Sequence, residues 1–221
     1  MEIMKLLLTS AGISNQSISD ALLEMAGKPF AELNLAFIPT AANVESGSKD
    51  WLIKDFVTCE NLGFKQVDIV DVSALPKEIW LPRLEEADIL LFGGGNTFHL
   101  MHWMEKSGLK ELLPKMLKTK IFIGISAGSM ITGKSLDLST SERLYEEKVD
   151  DGAKDEGLGY VDFLVRPHLN SPYFQNVNLD NLESFAKEFP ETFYALDDNS
   201  AIKVMDGEIE VVSEGVWKKF N

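Results

Sequence analysis

The sequence predicts a doubly wound α/β fold, a mostly parallel sheet with helices on both faces, and three observations carry that expectation. Short apolar runs alternate with amphipathic segments through the first two thirds of the chain. Strand, helix, strand repeated in this way requires crossover connections, which set the strands parallel and place helices on both sides of them. The last third changes character and closes on two alternating runs about Asp206-Gly207, the strongest short-range signal for an antiparallel hairpin.

In chain order, Lys5 to Thr9 (KLLLT), Asn34 to Ile38 (NLAFI), Gln66 to Val70 (QVDIV), Ile89 to Phe92 (ILLF) and Ile121 to Ile125 (IFIGI) read as buried strands. Between the first two, Ser17 and Asp20 have capping-box spacing, and Ile18, Leu22 and Met25 follow at helical intervals. Leu52, Ile53, Phe56 and Val57 mark the stripe of a second helix, and FHLMHWME, from Phe98, reads as another. Leu164 to Arg166 and Phe193 to Leu196 are strands on either side of a helical stripe of Leu179, Leu182, Phe185 and Ala186. Ala201 to Met205 and Glu208 to Val212 form the hairpin and supply an antiparallel edge. Neither a repeat nor a linker divides the chain, and Asp150 to Gly159 (DDGAKDEGLG) reads as a short exposed loop, so a single domain over 1–221 is expected.

Composition narrows the function. The chain has 221 residues, 45% of them hydrophobic, enough for a buried core. A net charge of -14 without a basic cluster repels polyphosphate at long range, which excludes nucleic acid as a partner. The single cysteine, Cys59, cannot close an internal disulfide. With neither a signal pattern nor a bilayer-length apolar run, a cytoplasmic protein with no membrane partner is expected.

The chemistry gathers at Gly124-x-Ser126-x-Gly128, where the apolar run IFIGI ends and Ala127 to Ile131 can begin a helix. A strand that turns this sharply lifts the turn residue clear of the sheet, and glycines on either side remove side chains that would collide. Such a motif arises by accident in roughly one chain in ten of this length, so the strand before it and the helix after it matter. Ser126 is the candidate nucleophile, and a hydroxyl at neutral pH needs a base. His168, at the end of an apolar strand in FLVRPHLN, stands where α/β sheets build their sites. His99 and His102 could complete a one-face metal cluster with Glu105, but nothing else supplies metal-ligand spacing, so no metal or organic cofactor is expected.

The base needs an orienting carboxylate, and YALDDNSAI offers Asp198, one step deeper into a strand-end loop than Asp197. For an oxyanion, one amide comes with the turn at Ala127, and FGGGNTF, Gly93 to Gly95 with Asn96, can supply the second. That loop lacks both the Lys-Ser/Thr of a P-loop and the spacing G-x-G-x-x-G, which argues against nucleotide binding. Arg166 and His168 are alternate strand residues that can share a face, so Arg166 is a candidate for a substrate carboxylate and Asn96 for further substrate contact.

GGGNTFHLM, GISAGSM, RPHLN and LDDNSAI, in that order, resemble the peptidase E (aspartyl dipeptidase) family of serine peptidases, which includes cyanophycinases. The likeness runs from Leu6 to about Lys203 and takes in FIPTA after the second strand. It implies a sheet related to class I glutamine amidotransferases, with serine in place of their cysteine. It also implies Ser126 as nucleophile, His168 as base, Gly95 and Ala127 as amide donors, a short peptide as substrate, and a homodimer. Two positions depart from the pattern. The acid of that family is usually Glu, where this chain has Asp198, and the arginine-bearing segment that grips a substrate Asp is replaced by NSPYFQNVNLDNLESF, which has no arginine. The order Ser126, His168, Asp198 also differs from that of α/β-hydrolases, where the acid precedes the histidine and Asp150 or Asp162 would have to serve. Two rival readings share the fold: an inert ligand-binding or regulatory protein, and an esterase or amidase acting on non-peptide acyl groups.

Overall fold

A computed structural model describes residues 4–147 and 153–221. Five parallel strands form the centre of the large sheet: β1 (Lys5–Thr9), β2 (Asn34–Ile38), β3 (Gln66–Ile69), β4 (Ile89–Phe92) and β5 (Ile121–Ile125). The C-terminal hairpin, β8 (Ser200–Met205) and β9 (Glu208–Ser213), adds antiparallel to β1, giving the order β3-β2-β4-β5-β1-β8-β9. Strand periodicity sorts the core into two layers. Leu7, Leu35, Phe37, Leu91, Ile123 and Ile125 face α1 (Gln16–Ala26) and α2 (Asp50–Asn61). Leu6, Leu8, Ile38, Leu90, Phe92 and Phe122 face α3 (Lys77–Glu86), α4 (Thr97–Ser107) and α5 (Leu109–Met116). The expected α/β sheet with helices on both faces is therefore what the chain forms.

Several local expectations need correction. Helix α1 is capped by Asn15, whose side chain accepts from the Ile18 amide, while Ser17 inside the helix bonds Glu214. β3 ends at Ile69 and is a half-exposed edge strand, because β2 is its partner on one side only. On α2 the stripe is rotated from the expected one: Leu52 and Phe56 pack on the core and Cys59 is buried, whereas Ile53 and Val57 are exposed. The strands β6 (Leu164–Arg166) and β7 (Phe193–Leu196) stay out of the large sheet. They pair with each other and with an unforeseen β10 (Trp217–Phe220) in a second sheet of order β10-β7-β6.

That small sheet is a bridge. Tyr194 and Leu196 of β7 join the cluster that holds Leu8 and Phe92, while Phe193 and Ala195 pack with Leu182 and Phe185 of α8 (Leu179–Glu188). The strand ends of both sheets, and hence Ser126 and His168, are thereby held against each other. Helices α6 (Ala127–Met130) and α7 (Leu138–Tyr145) fill the connection between them. The loop expected over Asp150 to Gly159 begins outside the described residues, and Ala153 to Gly159 carries neither helix nor strand. No helix among the described residues is long and apolar enough to cross a membrane.

Candidate active site

Ser126 stands between β5 and α6 with φ 48 and ψ -108, a conformation that costs a non-glycine residue about 1–3 kcal/mol. The surrounding bonds enforce it: its amide donates to the Thr9 carbonyl at 3.1 Å, and its own carbonyl accepts from Ser129 and Met130 at 2.8 and 2.9 Å. Close packing explains the flanking glycine at 128, where an added Cβ would sit 2.1 Å from the Phe92 carbonyl oxygen. The turn is thus clamped from both neighbouring strands, and the hydroxyl projects from the sheet's C-terminal end.

His168 arrives from the small sheet. Its φ of 66 is a second left-handed, non-glycine conformation, and its amide is held by the Ser10 hydroxyl at 2.8 Å. The imidazole Nε2 lies 2.9 Å from Ser126 Oγ, and Nδ1 lies 2.7 Å from Asp198 Oδ1. A carboxylate can only accept, so Nδ1 carries the proton and Nε2 presents its lone pair to the serine. The ring stacks on Phe174, with centroids 4.4 Å apart and planes 17° from parallel, which fixes its orientation. Burial acts to raise the Asp198 carboxyl, but the hydrogen bond and charge of His168, the Ser10 hydroxyl and Lys54 outweigh it and hold the pKa below its ordinary value.

The other carboxylates do different work. Asp197 accepts from Ser200 Oγ and from the amides of Asn199 and Val216, so it builds the loop that carries its neighbour. Asp162 is exposed and pairs with Lys134, and Asp150 lies outside the described residues. Glu105 is engaged by Lys110 and Lys154, and among the described residues no three His, Cys, Asp or Glu side chains converge as metal ligands.

The glycine loop crosses directly above the serine. A Cβ added at Gly94 would lie 3.4 Å from Ser126 Cβ and 3.7 Å from Trp51 Cζ3, so this backbone threads between the two side chains. At Gly95 φ is 126 and a Cβ would come within 2.3 Å of the Ala41 carbonyl oxygen, which only glycine permits. The bonds that close these turns come from the amides of Gly93 and Asn96 on one side and Ser126, Ser129 and Met130 on the other, rather than from Gly95 or Ala127.

Two expected substrate contacts are otherwise employed. Asn96 is buried and caps α4, its side-chain oxygen accepting from the His99 amide at 2.8 Å while its own amide donates to Ala41. Arg166 does not face a ligand as a surface strand residue would. It is 2% exposed and paired at 2.5 Å with Asp137, itself buried, while the chain takes a left-handed φ of 66 at His168 two residues on. Sequence reasoning missed Ser10, Phe174 and Trp51. Ser10 could have been found, since it directly follows the C-terminal end of a predicted parallel strand, where such folds place their sites.

The fold and the relatives together define a serine-type peptidase. The profile of Peptidase family S51 matches residues 6–212, and the chain belongs to that family. It is 27% identical over 195 residues to an uncharacterized peptidase of Pasteurella multocida, covering 85% of this chain and 88% of that one. It is 26% identical over 184 residues to a peptidase E of Nostoc sp., covering 80% and 72%. Among solved structures, a candidate peptidase E from Listeria monocytogenes shares the fold with a TM-score of 0.78 at 23% identity, covering 96% of this chain and all of that one.

Proposed function

We propose that the protein hydrolyses short peptides, in the manner of a dipeptidase, through a Ser126-His168-Asp198 triad and an acyl-enzyme intermediate. His168 Nε2 takes the hydroxyl proton as Ser126 Oγ bonds to the scissile carbonyl carbon, and the carbonyl π electrons move to oxygen. The amides of Gly95 and Ala127 receive that oxyanion. The tetrahedral adduct collapses, the C–N bond breaks, and the imidazolium proton leaves with the amine. Water then repeats the sequence on the ester, releasing the acid and restoring Ser126. Asp198 holds the Nδ1 tautomer and stabilises the imidazolium each time it forms.

The observation that carries this reading is the continuous hydrogen-bonded line from Ser126 Oγ through both imidazole nitrogens to Asp198, at 2.9 and 2.7 Å. Clamping of the serine in a strained conformation supports it further, since strain at one hydroxyl has no packing purpose of its own. Turnover of a dipeptide panel by Ser126→Ala is the test. A drop of about three orders of magnitude or more with an unchanged melting temperature is expected. Turnover equal to the parent enzyme would remove Ser126 from the chemistry.

A further inference from the structure

Beside the triad lies a cavity of about 150 Å³, between α2 and the sheet, for which the catalytic steps above have no use. Ile125, the residue before Ser126, and Ala11, the residue after Ser10, both line it, so it adjoins the reacting groups. Its walls mix apolar side chains, Ile13, Leu91, Cys59 and Ile125, with the polar Ser14 and Thr58, and Asp55 and Lys54 are its charged residues.

Asp55 occupies a position that helix geometry reserves for the core. Leu52, Asp55, Phe56 and Cys59 fall at i, i+3, i+4 and i+7 on α2, the spacing of one buried face. Three of the four are apolar and the fourth is a carboxyl. Among the described residues no hydrogen bond or ion pair within 4 Å engages that carboxyl. An added Cβ at Gly12 would sit 3.4 Å from Asp55 Oδ1 and 3.2 Å from Ile125 Cδ1, so the carboxyl reaches the wall beside the nucleophile's strand. Burial pushes its pKa up to about 7, with Lys54 acting the other way. One turn earlier on the same face, Trp51 touches the glycine loop over Ser126. Trp51, which borders the glycine loop, and Asp55, which lines the slot, lie one helical turn apart on α2, ~5.4 Å along its axis.

We infer that this cavity receives the side chain of the residue whose carbonyl Ser126 attacks, and that Asp55 selects a cationic donor, an ammonium or guanidinium, at that side chain's end. The inference rests on the hydrolase reading above. An extended lysine side chain reaches about 6 Å from its Cα, which spans the slot. A purely apolar occupant would bury Asp55 without a partner, the costly arrangement for a carboxyl. The net charge of -14 draws cationic peptides toward the protein. Lys54 also lines the cavity and opposes the cation, but it is exposed, so solvent screens its charge.

The test compares kcat/KM for two dipeptides that differ only in the first residue, lysine against norleucine, on the full chain, with fluorophosphonate labelling of Ser126 measured in parallel. The lysyl substrate is expected to be preferred at least tenfold, and Asp55→Asn to reduce that ratio at least tenfold. Should Asp55→Asn fail to fold, n-butylammonium is expected to inhibit the parent enzyme competitively at concentrations where 1-butanol does not. Lys54→Met is expected to raise the lysyl preference about threefold. Labelling with equal turnover of the two substrates, or a ratio that Asp55→Asn leaves unchanged, overturns the slot alone. Absence of labelling overturns the hydrolase reading and the slot with it.

Discussion

Asp198 and Asp55 are two carboxyls whose surroundings push them in opposite directions. Asp198 accepts from His168 Nδ1 and from the Ser10 hydroxyl, and its pKa is held below the usual carboxylate value. Asp55 is half-buried beside Cys59, Leu91 and Ile125 with no hydrogen bond among the described residues, and burial pushes its pKa up to about 7. A carboxyl saturated with donors from its own chain has a structural partner to orient, which is the work assigned to it in the triad. A carboxyl left without them costs stability and is best explained by a donor that comes from outside. On the proposed reading, the same residue type orients the base at one position and meets the substrate at the other.

The widest contrast should come from removing the charge on the saturated side. Asp198→Asn keeps the shape but favours the wrong imidazole tautomer, and a fall in kcat of roughly 10³ to 10⁴ is expected from steady-state kinetics. A loss of less than tenfold would mean that another group orients His168. The opposite outcome is expected for Asp55→Asn when stability is measured. An unfolded carboxyl ionises near 4 and this one near 7, so the folded protein binds the extra proton between those values and loses stability as pH rises through them. Above pH 7 the substitution should stabilise the protein by up to about 4 kcal/mol, with the advantage gone below pH 4, as read from urea titrations at both extremes. The smallest effect belongs to Ser10→Ala, which removes one of the Asp198 donors and the support of the His168 amide. About a tenfold loss in kcat with little change in KM is expected, because Ser10 acts through Asp198 and His168.

What the sequence made legible was whatever is enforced locally. The turn at Ser126 needs glycine at 124 and 128 for steric reasons, and the glycine loop at 93–95 needs room for a crossing backbone, so both are written in short motifs. Continuous burial on β1, β2, β4 and β5 was equally readable as apolar runs, because each strand is covered on both faces. The partner of His168 was narrower than the motif LDDNSAI could say, since the choice between Asp197 and Asp198 depends on Val216 and Gly215 arriving from another strand connection.

The helix α2 shows the opposite failure. Ile53 and Val57 drew the apolar stripe to the wrong side, and the true face includes a charged residue that hydrophobic patterning counts as exterior. Arg166 was misplaced for a related reason. Its burial depends on Asp137, 29 residues earlier, and no local rule announces an ion pair formed at that separation. In each case the pattern broke where a polar group had been drawn into the interior, and for α2 that break is the feature of functional interest.

The central claim is that the Ser126 hydroxyl forms the covalent intermediate. Its most direct test is mass spectrometry of the protein quenched during turnover of an activated aminoacyl ester, followed by peptide mapping. The account predicts one acyl group per chain, located on the peptide that carries Ser126 and absent from Ser126→Ala. An acyl group found on any other residue, or acylation that persists unchanged in Ser126→Ala, would contradict it.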